Sequence, residues 1–508
     1  MLFDRPTPGA NRDTWAADLD AWLDAHTHAG TSLFNVQGYG AVGGNVTKDT
    51  LAINEAIADL NAEGSGLLWF PPLKAGVTYT SSGIDPITVP CTVAGAGRSS
   101  AVTTTVDGDI FTVSAVSGKV DFVNLSIAAG VVPTAGAAIH YTDGYGCSVR
   151  NCVLGGTYHG LLLDDAVVSF QVSDLTNFEN IYMYGIYRPY SGSLPDSGDD
   201  NVIGNLFYST VGLSGSAGIR LEAHGGMRIT ANKFLQSDYG IDISVADGAS
   251  TSACPITGNS IEGQAVNAIR LARKAGGTTG WWANVPIVGN EILTTGTAIS
   301  IGTGIQNAQV VGGTIAGTGG TEIGVDIEGQ AQEAYVQGVS FLSLGTGVKL
   351  GASTQECSVG PNQYTTVATP VSDLTASGGG TRDVVRRHRR SLSVSSTTVF
   401  TNLYRIDLST YRACTYELVC DFLLNGVGHA SGHYGRLLTR EAGNCIQSYL
   451  NGATDALEGA AFDLQTDLTT TPGSVYIGFK MNSGAGGTLL AGGVSLIVEG
   501  GAKAVVLL

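Results

Sequence analysis

The 508-residue sequence predicts an all-β fold: a right-handed parallel β-helix with a short N-terminal helix and a C-terminal antiparallel β-sandwich-like domain. Three observations predict this fold. The chain repeats every 23 to 31 residues, one turn position is polar in most repeats, and each repeat holds a second strand of alternating apolar residues. A coil of 23 residues with occasional loop insertions is what a parallel β-solenoid requires.

Ten segments align on one turn position, which is Asn or Asp in eight of them. Asn tolerates left-handed turn geometry, and stacked Asn side chains can hydrogen-bond one another along the axis. We therefore predict an asparagine ladder, and not a β-sandwich with incidental Asn turns. The aligned residues are Asn124, Asn151, Asp174, Asn205, Asn232, Asn259, Asn290, Gly313, Val339 and Asn362.

The second strand of each repeat alternates, so one set of residues is buried and the other faces outward. The buried pairs are Leu161/Leu163, Ile219/Leu221, Ile241/Ile243, Ile269/Leu271, Ile299/Ile301, Val325/Ile327 and Val348/Leu350. One outward file runs Leu162, Arg220, Asp242, Arg270, Ser300, Asp326, Lys349. A parallel file two residues further on runs Asp164, Glu222, Ser244, Ala272, Gly302, Glu328, Gly351.

Residues 34–72 are predicted to form a strand, a Gly-rich turn, a helix over about residues 49–61 and a second strand. The helix is expected to bury Leu51, Ile53, Ala56, Ile57 and Leu60. This stretch resembles the opening of pectate lyase-like β-helix domains, in which a short helix caps the end of the solenoid. Gly44 and Lys48 stand where that family has acidic residues. With the asparagine ladder, the resemblance implies a pectate lyase-like right-handed β-helix over residues 34–380.

The two ends of the chain have different patterns. Residues 1–33 carry one helical stripe, formed by Trp15, Leu19, Trp22 and Leu23, which predicts a helical neck or attachment segment. Residues 381–508 come after a Gly linker and begin with an Arg-rich cluster at 382–390, which we expect to be a solvated or inter-subunit face. Their short apolar strands predict an antiparallel β domain, for trimerisation or carbohydrate binding, with a buried final strand.

Composition excludes several classes of partner. A net charge of −17 disfavours nucleic acid and anionic membranes. There is no apolar run long enough to span a membrane and no secretory signal at the start, so we expect synthesis in a reducing cytoplasm without ordinary secretion. The eight cysteines form no CxxC pair and are expected to be buried free thiols. Asp199 and Asp200 alone do not make a calcium cluster, so no metal and no cofactor are expected.

Three insertions, at 188–200, 245–255 and 272–286, are predicted to wall a groove over the rungs that carry Arg220, Glu222, Asp242 and Arg270. Glycoside hydrolysis needs one carboxyl group as acid and another as base or nucleophile. Glu222 and Asp242 lie on adjacent predicted rungs, and the two arginines beside Asp242 would keep it ionised, whereas an apolar wall would let Glu222 hold a proton.

Other residues are candidates for the same groove. Asp199 and Asp200 are further catalytic candidates, with Asp196 and Asp164 near them. Trp281, Trp282 and Tyr187 are candidates for stacking on sugar rings, and His224 lies near the same face, as does His159. Two alternatives to a catalytic groove stay open. The charged residues would then form an ordinary charge ladder on the surface, and the aromatic residues would form a contact between subunits.

The arrangement resembles phage tailspikes that cut polysaccharides, although no fixed motif of those proteins assigns a role to a residue of this sequence. The resemblance implies a homotrimer in the virion tail, joined to other tail proteins through residues 1–33. It also implies a receptor-binding protein that binds and depolymerises a bacterial surface polysaccharide, by endo-glycosidic hydrolysis. The alternatives are a non-enzymatic receptor-binding fibre and a β-helix polysaccharide lyase.

Overall fold

The computed structural model describes residues 32–374, except 115–117, 165, 193–198, 224–225 and 356, together with the backbone of nine strands between 385 and 507. The predicted helical stripe of residues 1–33 lies outside the described residues. No helix of the described part is long and apolar enough to cross a membrane.

The described chain is a parallel β-solenoid of about 11 turns, as the repeat predicted. Its three strands per turn stack into three sheets, which we call the front, second and third sheets. The front sheet consists of Phe111–Val113, Ala137–Tyr141, His159–Leu163, Tyr184–Arg188, Ala217–Leu221, Tyr239–Val245, Asn267–Arg273, Thr297–Ile301, Ile323–Ile327, Thr346–Leu350 and Thr369–Asp373.

The other two sheets complete each turn. The second sheet contains Ser148–Arg150, Gln171–Ser173, Asn201–Ile203, Arg228–Thr230, Ile256–Thr257, Trp281–Val288, Ile305–Val311, Tyr335–Gln337 and Ser358–Val359. The third contains Val153–Gly155, Asn177–Glu179, Leu206–Tyr208, Lys233–Leu235, Ser260–Glu262, Glu291–Thr294, Thr314–Gly317, Ser340–Leu342 and Gln363–Thr365. The first turns use Leu33–Asn35, Gly66–Phe70, Tyr79–Ser81, Cys91–Thr104 and Val120–Ala129, and short strands lie at Gly144–Tyr145, Val167–Val168 and Ser250–Ser252.

The core runs along the axis of the solenoid. Every apolar pair that alternation predicted to be inward is fully or almost fully buried. Equivalent side chains stack from rung to rung, as Phe178, Phe207 and Phe234 do with ring centroids 4.4 and 4.7 Å apart. The parallel register therefore turns each inward position of the sequence repeat into a continuous column of packed side chains.

The asparagine ladder is present from Asn205 to Asn290. The backbone N and the Nδ2 of Asn205 donate to Asn232 Oδ1 at 2.9 and 3.0 Å, and the same pattern joins Asn232 to Asn259 and Asn259 to Asn290. All four side chains are buried. The Oδ1 atoms of Asn232, Asn259 and Asn290 thus each accept from a backbone N–H and a side-chain amide of the preceding turn.

In the first three coils the predicted ladder alignment is wrong by one position. The residues placed there, with φ of 54°, 50° and 58°, are Asn124, Asn151 and Asp174. They stand in register with Gly204, the left-handed residue before Asn205. The Thr176 hydroxyl, which accepts from Cys152 N at 3.4 Å, occupies the ladder position in its coil. Asn suits both positions, so composition could not separate them.

The capping helix is Val46–Glu63, longer at both ends than predicted, with Asn45 as its N-cap. Leu51 is 60% exposed, so its predicted burial is wrong, whereas the other four predicted core residues are buried. Asp49 is fully buried and accepts the backbone N–H groups of Val42, Gly43, Asn45 and Thr80. This one carboxylate organises the turn that precedes the helix.

The strands after residue 384 are antiparallel, as predicted. A five-stranded sheet contains Val385–Ser391, Leu489–Gly500, Ala413–Leu424, Gly428–Glu441 and Asn444–Tyr449. Four further strands, Ala502–Leu507, Thr401–Leu408, Ser474–Met481 and Phe462–Asp467, extend the front sheet in that order. Ala502–Leu507 pairs antiparallel with Thr369–Asp373, the last rung of the front sheet.

Five cysteines have side chains that the structure describes, and all five are buried: Cys91, Cys147, Cys152, Cys254 and Cys357. Burial raises the pKa of Cys91 and of Cys254 to about 12. These thiols are therefore uncharged core side chains near neutral pH.

Candidate functional site

The outward side chains of the front sheet form one continuous file, which we call the front file. Pairing places His140, Leu162, Tyr187, Arg220, Asp242, Arg270, Ser300, Asp326 and Lys349 in register on successive rungs. The sequence alignment missed the rung Tyr184–Arg188, so Tyr187 had no assigned place in the file. Arg188 at an inward position hid the alternation of that strand.

Asp242 lies between two arginines, as its place in the file predicted. Arg220 Nη1 is 2.7 Å from Asp242 Oδ2, and Arg270 Nε is 2.8 Å from Oδ1. Arg270 also donates to Ser244 Oγ at 3.0 Å. Asp242 is completely buried beneath these side chains, so the two guanidinium groups compensate its charge.

Glu222 is 3% exposed, although it was predicted to face outward. Its Oε1 accepts from the Tyr187 hydroxyl at 3.2 Å and lies 3.4 Å from Arg220 Nη2. Lys274 Nζ lies 2.8 Å from the same carboxylate. Glu222 is therefore surrounded by cationic and hydroxyl donors, where the sequence analysis expected an apolar wall.

Lys274 is a site residue that the sequence analysis missed. It is 52 residues beyond Glu222 and lies in the insertion after the strand Asn267–Arg273. Its side chain remains 45% exposed and forms part of the cover over Glu222. We use the term walled cluster for Tyr187, Arg220, Glu222, Asp242, Arg270 and Lys274.

One guanidinium holds the two carboxylates of the walled cluster together. Arg220 donates to Asp242 through Nη1 and to Glu222 through Nη2. Since the guanidinium is a small planar fork, the two bound carboxylate oxygens lie no more than about 8 Å apart. That limit includes the roughly 5 Å separation of retaining glycosidases and the shorter part of the inverting range.

Aromatic rings pack beside the walled cluster. His159 stacks on Tyr184 with ring centroids 5.2 Å apart, and Tyr187 packs against both rings. Arg220 lies 5.2 Å from the centroid of Tyr184. Burial lowers the pKa of His159 to about 4, so this imidazole is neutral near pH 7. Burial also raises the pKa of Tyr187, which keeps its hydroxyl protonated as a donor to Glu222.

Two insertions form a wall at the C-terminal ends of these strands. Asp247 accepts hydrogen bonds from Thr278 N and Thr279 N at 3.0 and 2.6 Å, and these bonds lower its pKa. Arg273 donates to the carbonyl of Gly280 at 3.1 Å, and Gly280 has a φ of 92°. The wall is thus held by polar contacts between residues 246–249 and 274–280.

The two adjacent tryptophans have different environments. The predicted loop 272–286 ends early, because Trp281–Val288 is a strand of the second sheet. Alternation makes Trp281 41% exposed and leaves Trp282 completely buried in the core. The prediction that Trp282 stacks on sugar is therefore wrong, and Trp281 keeps that expectation.

The predicted acids at the end of the insertion 188–200 are separated from the walled cluster. Asp200 is completely buried, 3.0 Å from Nη1 of the buried Arg188, and it accepts from Phe170 N at 2.7 Å. The two acids of the walled cluster lie on the outward face of the front sheet beneath other side chains, whereas Asp200 is paired with an inward-facing residue, Arg188. The predicted catalytic role of Asp200 on the sheet face is therefore wrong. Asp199 is exposed, and His224 lies outside the described residues.

The sequence analysis also missed a second charged group, centred on His140 of the front file. His140 Nδ1 lies 2.7 Å from Asp109 Oδ2, and its Nε2 lies 3.2 Å from Asp164 Oδ2. Burial alone would lower the pKa of His140, but the hydrogen bonds to both carboxylates raise it to about 9. Among the residues that the structure describes, no three His, Cys, Asp or Glu side chains are arranged to hold a metal ion.

No protein-family model and no curated protein matches the chain. The Dettilon tailspike protein gp208 is similar in structure, with 12% identity and a TM-score of 0.51, over 96% of this chain and 100% of that chain. The tailspike protein gp49 from Pseudomonas phage LKA1 has 11% identity and a TM-score of 0.48, over 92% of this chain and 99% of that one. The A-module of the mannuronan C-5 epimerase AlgE4 from Azotobacter vinelandii has 16% identity and a TM-score of 0.42, over 64% of this chain and 99% of that module. The first similarity confirms the predicted fold.

Proposed function

We propose that this chain is a phage tailspike or receptor-binding protein that binds and depolymerises a bacterial surface polysaccharide by endo-glycosidic hydrolysis. Two features support the proposal: a fold shared with a tailspike over almost the whole chain, and a rigid sheet face walled by insertions. The observation that carries it is the pair of carboxylates, Glu222 and Asp242, held by Arg220 on adjacent rungs.

In the proposed mechanism the two carboxylates have different tasks. Asp242, held between Arg220 and Arg270 on the outward face of the sheet, acts as the base that activates a water molecule or as the nucleophile. Glu222 acts as the acid that protonates the leaving oxygen. Lys274 covers Glu222, so an entering glycan displaces the ammonium group and brings the leaving oxygen to the carboxyl group. Trp281, exposed beyond the wall, provides a face for stacking on a sugar ring.

The proposed activity can be tested with purified capsular and O-antigen polysaccharides. Hydrolysis releases new reducing ends without ultraviolet absorbance, and we expect this result for the wild-type chain. The variants Glu222→Gln and Asp242→Asn should each lower the rate at least about 100-fold, as expected for loss of a general acid or base. Full cleavage by both variants would reject the assignment of these residues.

The front file provides matched controls for those variants. Asp326 is also an ion-paired aspartate of the front file, 2.7 Å from Lys349 Nζ, and Glu328 is an exposed carboxylate two residues further on. Asp326→Asn and Glu328→Gln should cleave polysaccharide at the wild-type rate. A loss of activity in these controls would mean that charge on the sheet in general, and not the walled cluster, supports the reaction.

A lyase is the second candidate. It is favoured by the contact of Tyr187 with Glu222, because this carboxylate lies between two cations, Arg220 and Lys274. In such a reaction Arg220 and Lys274 neutralise a uronate carboxylate, and a base removes the adjacent proton. Products of a lyase are unsaturated and absorb ultraviolet light. Binding without either kind of product would identify a non-enzymatic receptor-binding fibre.

We further propose a homotrimer in the virion tail, attached to other tail proteins through residues 1–33. The resemblance to tailspikes supports this assembly. Light scattering after size-exclusion chromatography should give three times the chain mass of 52.1 kDa. Deletion of residues 1–33 should leave polysaccharide cleavage intact and abolish incorporation into phage particles.

A further inference from the structure

An open polar cleft lies where the third sheet turns into the front sheet. Its volume is about 280 Å³, close to the lower end of the range for small-molecule sites. Hydroxyl, amide and carboxyl groups predominate among its lining residues. We call this the corner cleft, lined in part by Ser209, Thr210, Ser216, Gln236, Ser237 and Asp238.

The corner cleft belongs to the same rungs as the walled cluster. Ser216 and Asp238 directly precede the strands Ala217–Leu221 and Tyr239–Val245, which carry Arg220 and Asp242. The cleft therefore lies at the N-terminal edge of these rungs, opposite the wall at their C-terminal edge. The four residue steps from Asp238 to Asp242 span roughly 13 Å of extended strand.

The groups in the corner cleft suit a hydroxylated, uncharged ligand. Asp238 Oδ2 is fixed by Gly215 N at 2.6 Å, and its Oδ1 makes no hydrogen bond among the described residues. A carboxylate at the rim repels a uronate but accepts hydrogen bonds from sugar hydroxyl groups.

We propose that the corner cleft is a glycan subsite that holds an uncharged sugar unit of the polysaccharide cleaved at the walled cluster. The polymer then crosses the front sheet along the strands, from the cleft, past Tyr239 and Arg270, towards the wall. Tyr239 is half-buried and lies 4.8 Å from the Arg270 guanidinium, so it provides a ring between the two sites. This proposal rests on the proposed function and adds the direction of the polymer and the charge class of one subsite.

The test fills the corner cleft without changing the walled cluster. Ala265 is exposed and lines the cleft, so Ala265→Trp occupies its volume. Val266→Trp, at an exposed neighbour that does not line the cleft, is the matched control. With a polysaccharide that the wild-type chain cleaves, Ala265→Trp should raise KM at least tenfold, leave kcat within twofold and lengthen the shortest product. The control should match the wild type in all three measurements, and equal melting temperatures establish that both variants fold.

Two negative results are distinguishable. If the wild type neither binds nor cleaves any polysaccharide of the panel, the proposed function is rejected, and the subsite with it. If the wild type cleaves and Ala265→Trp shows unchanged KM and unchanged products, only the corner cleft is rejected, and the polymer takes another path across the sheet.

Discussion

Two ion-paired aspartates of the front file have the same register and different surroundings. Asp242 has both oxygens bound by arginines and no exposure, whereas Asp326 contacts Lys349 through Oδ2 alone, and its Oδ1 has no partner among the described residues. Long insertions follow the rungs of Tyr187, Asp242 and Arg270, whereas a connection of ordinary length follows the rung of Asp326. The front sheet therefore provides regular positions for charged residues, and the neighbouring insertions determine which of these positions form a site.

The strongest test of this comparison removes each aspartate. Asp242→Ala leaves two guanidinium groups facing each other in a buried setting and should cost about 3–5 kcal/mol of stability. Asp326→Ala breaks a partly exposed pair and should cost no more than about 1 kcal/mol. Unfolding of each variant in guanidinium chloride, followed by fluorescence, measures both losses of stability. Equal losses would contradict the distinction between the two positions.

A third group of the front file extends the comparison to pH. The folded-state pKa of His140, about 9, lies above the unfolded value of about 6.5. Its stabilising contribution is therefore complete below pH 6.5 and is lost as pH rises towards 9, by about 1–3 kcal/mol. The melting temperature of the wild type should fall over this range more than that of His140→Asn.

His159, on the next rung, should show the opposite sign. Its folded-state pKa of about 4 lies below the unfolded value, so the unfolded chain binds the proton first as pH falls. Its contribution is complete above pH 6.5 and is lost towards pH 4. The melting temperature of His159→Phe should therefore depend less on pH between 6.5 and 4, and an unchanged profile would contradict burial of a neutral imidazole.

The smallest expected effect concerns the two lysines. Lys274 and Lys349 each pair with a front-sheet carboxylate, at 2.8 and 2.7 Å, and only Lys274 covers a proposed catalytic group. Lys274→Met should lower KM roughly threefold, because the polymer no longer displaces an exposed ion pair. Lys349→Met should leave KM unchanged. An identical KM in both variants would remove the proposed covering role of Lys274.

Regular features of the molecule could be predicted from spacing alone. The ladder from Asn205 to Asn290 and the file Arg220–Asp242–Arg270 follow directly from the repeat, because equivalent residues of a solenoid meet in space. The inward columns follow for the same reason, since period-2 alternation fixes which side chain faces the axis.

The irregular features depend on contacts that no repeat encodes. Burial of Glu222 requires Lys274 from a distant insertion, and burial of Asp200 requires an arginine at an inward position, Arg188. The different environments of Trp281 and Trp282 depend on where a strand begins, which a Gly-rich stretch does not reveal. The sequence therefore predicted the sheet face better than the chemistry that the insertions add to it.

The antiparallel pairing of Ala502–Leu507 with Thr369–Asp373 has a consequence for the order of folding. Each earlier rung of the front sheet is covered by a strand that follows within about one coil of sequence. The last rung pairs with a strand that lies more than a hundred residues later, so its edge stays open until residues 502–507 have been synthesised. The final contact to form is thus a long-range one, and we expect nascent or truncated chains to expose that edge and to aggregate through it.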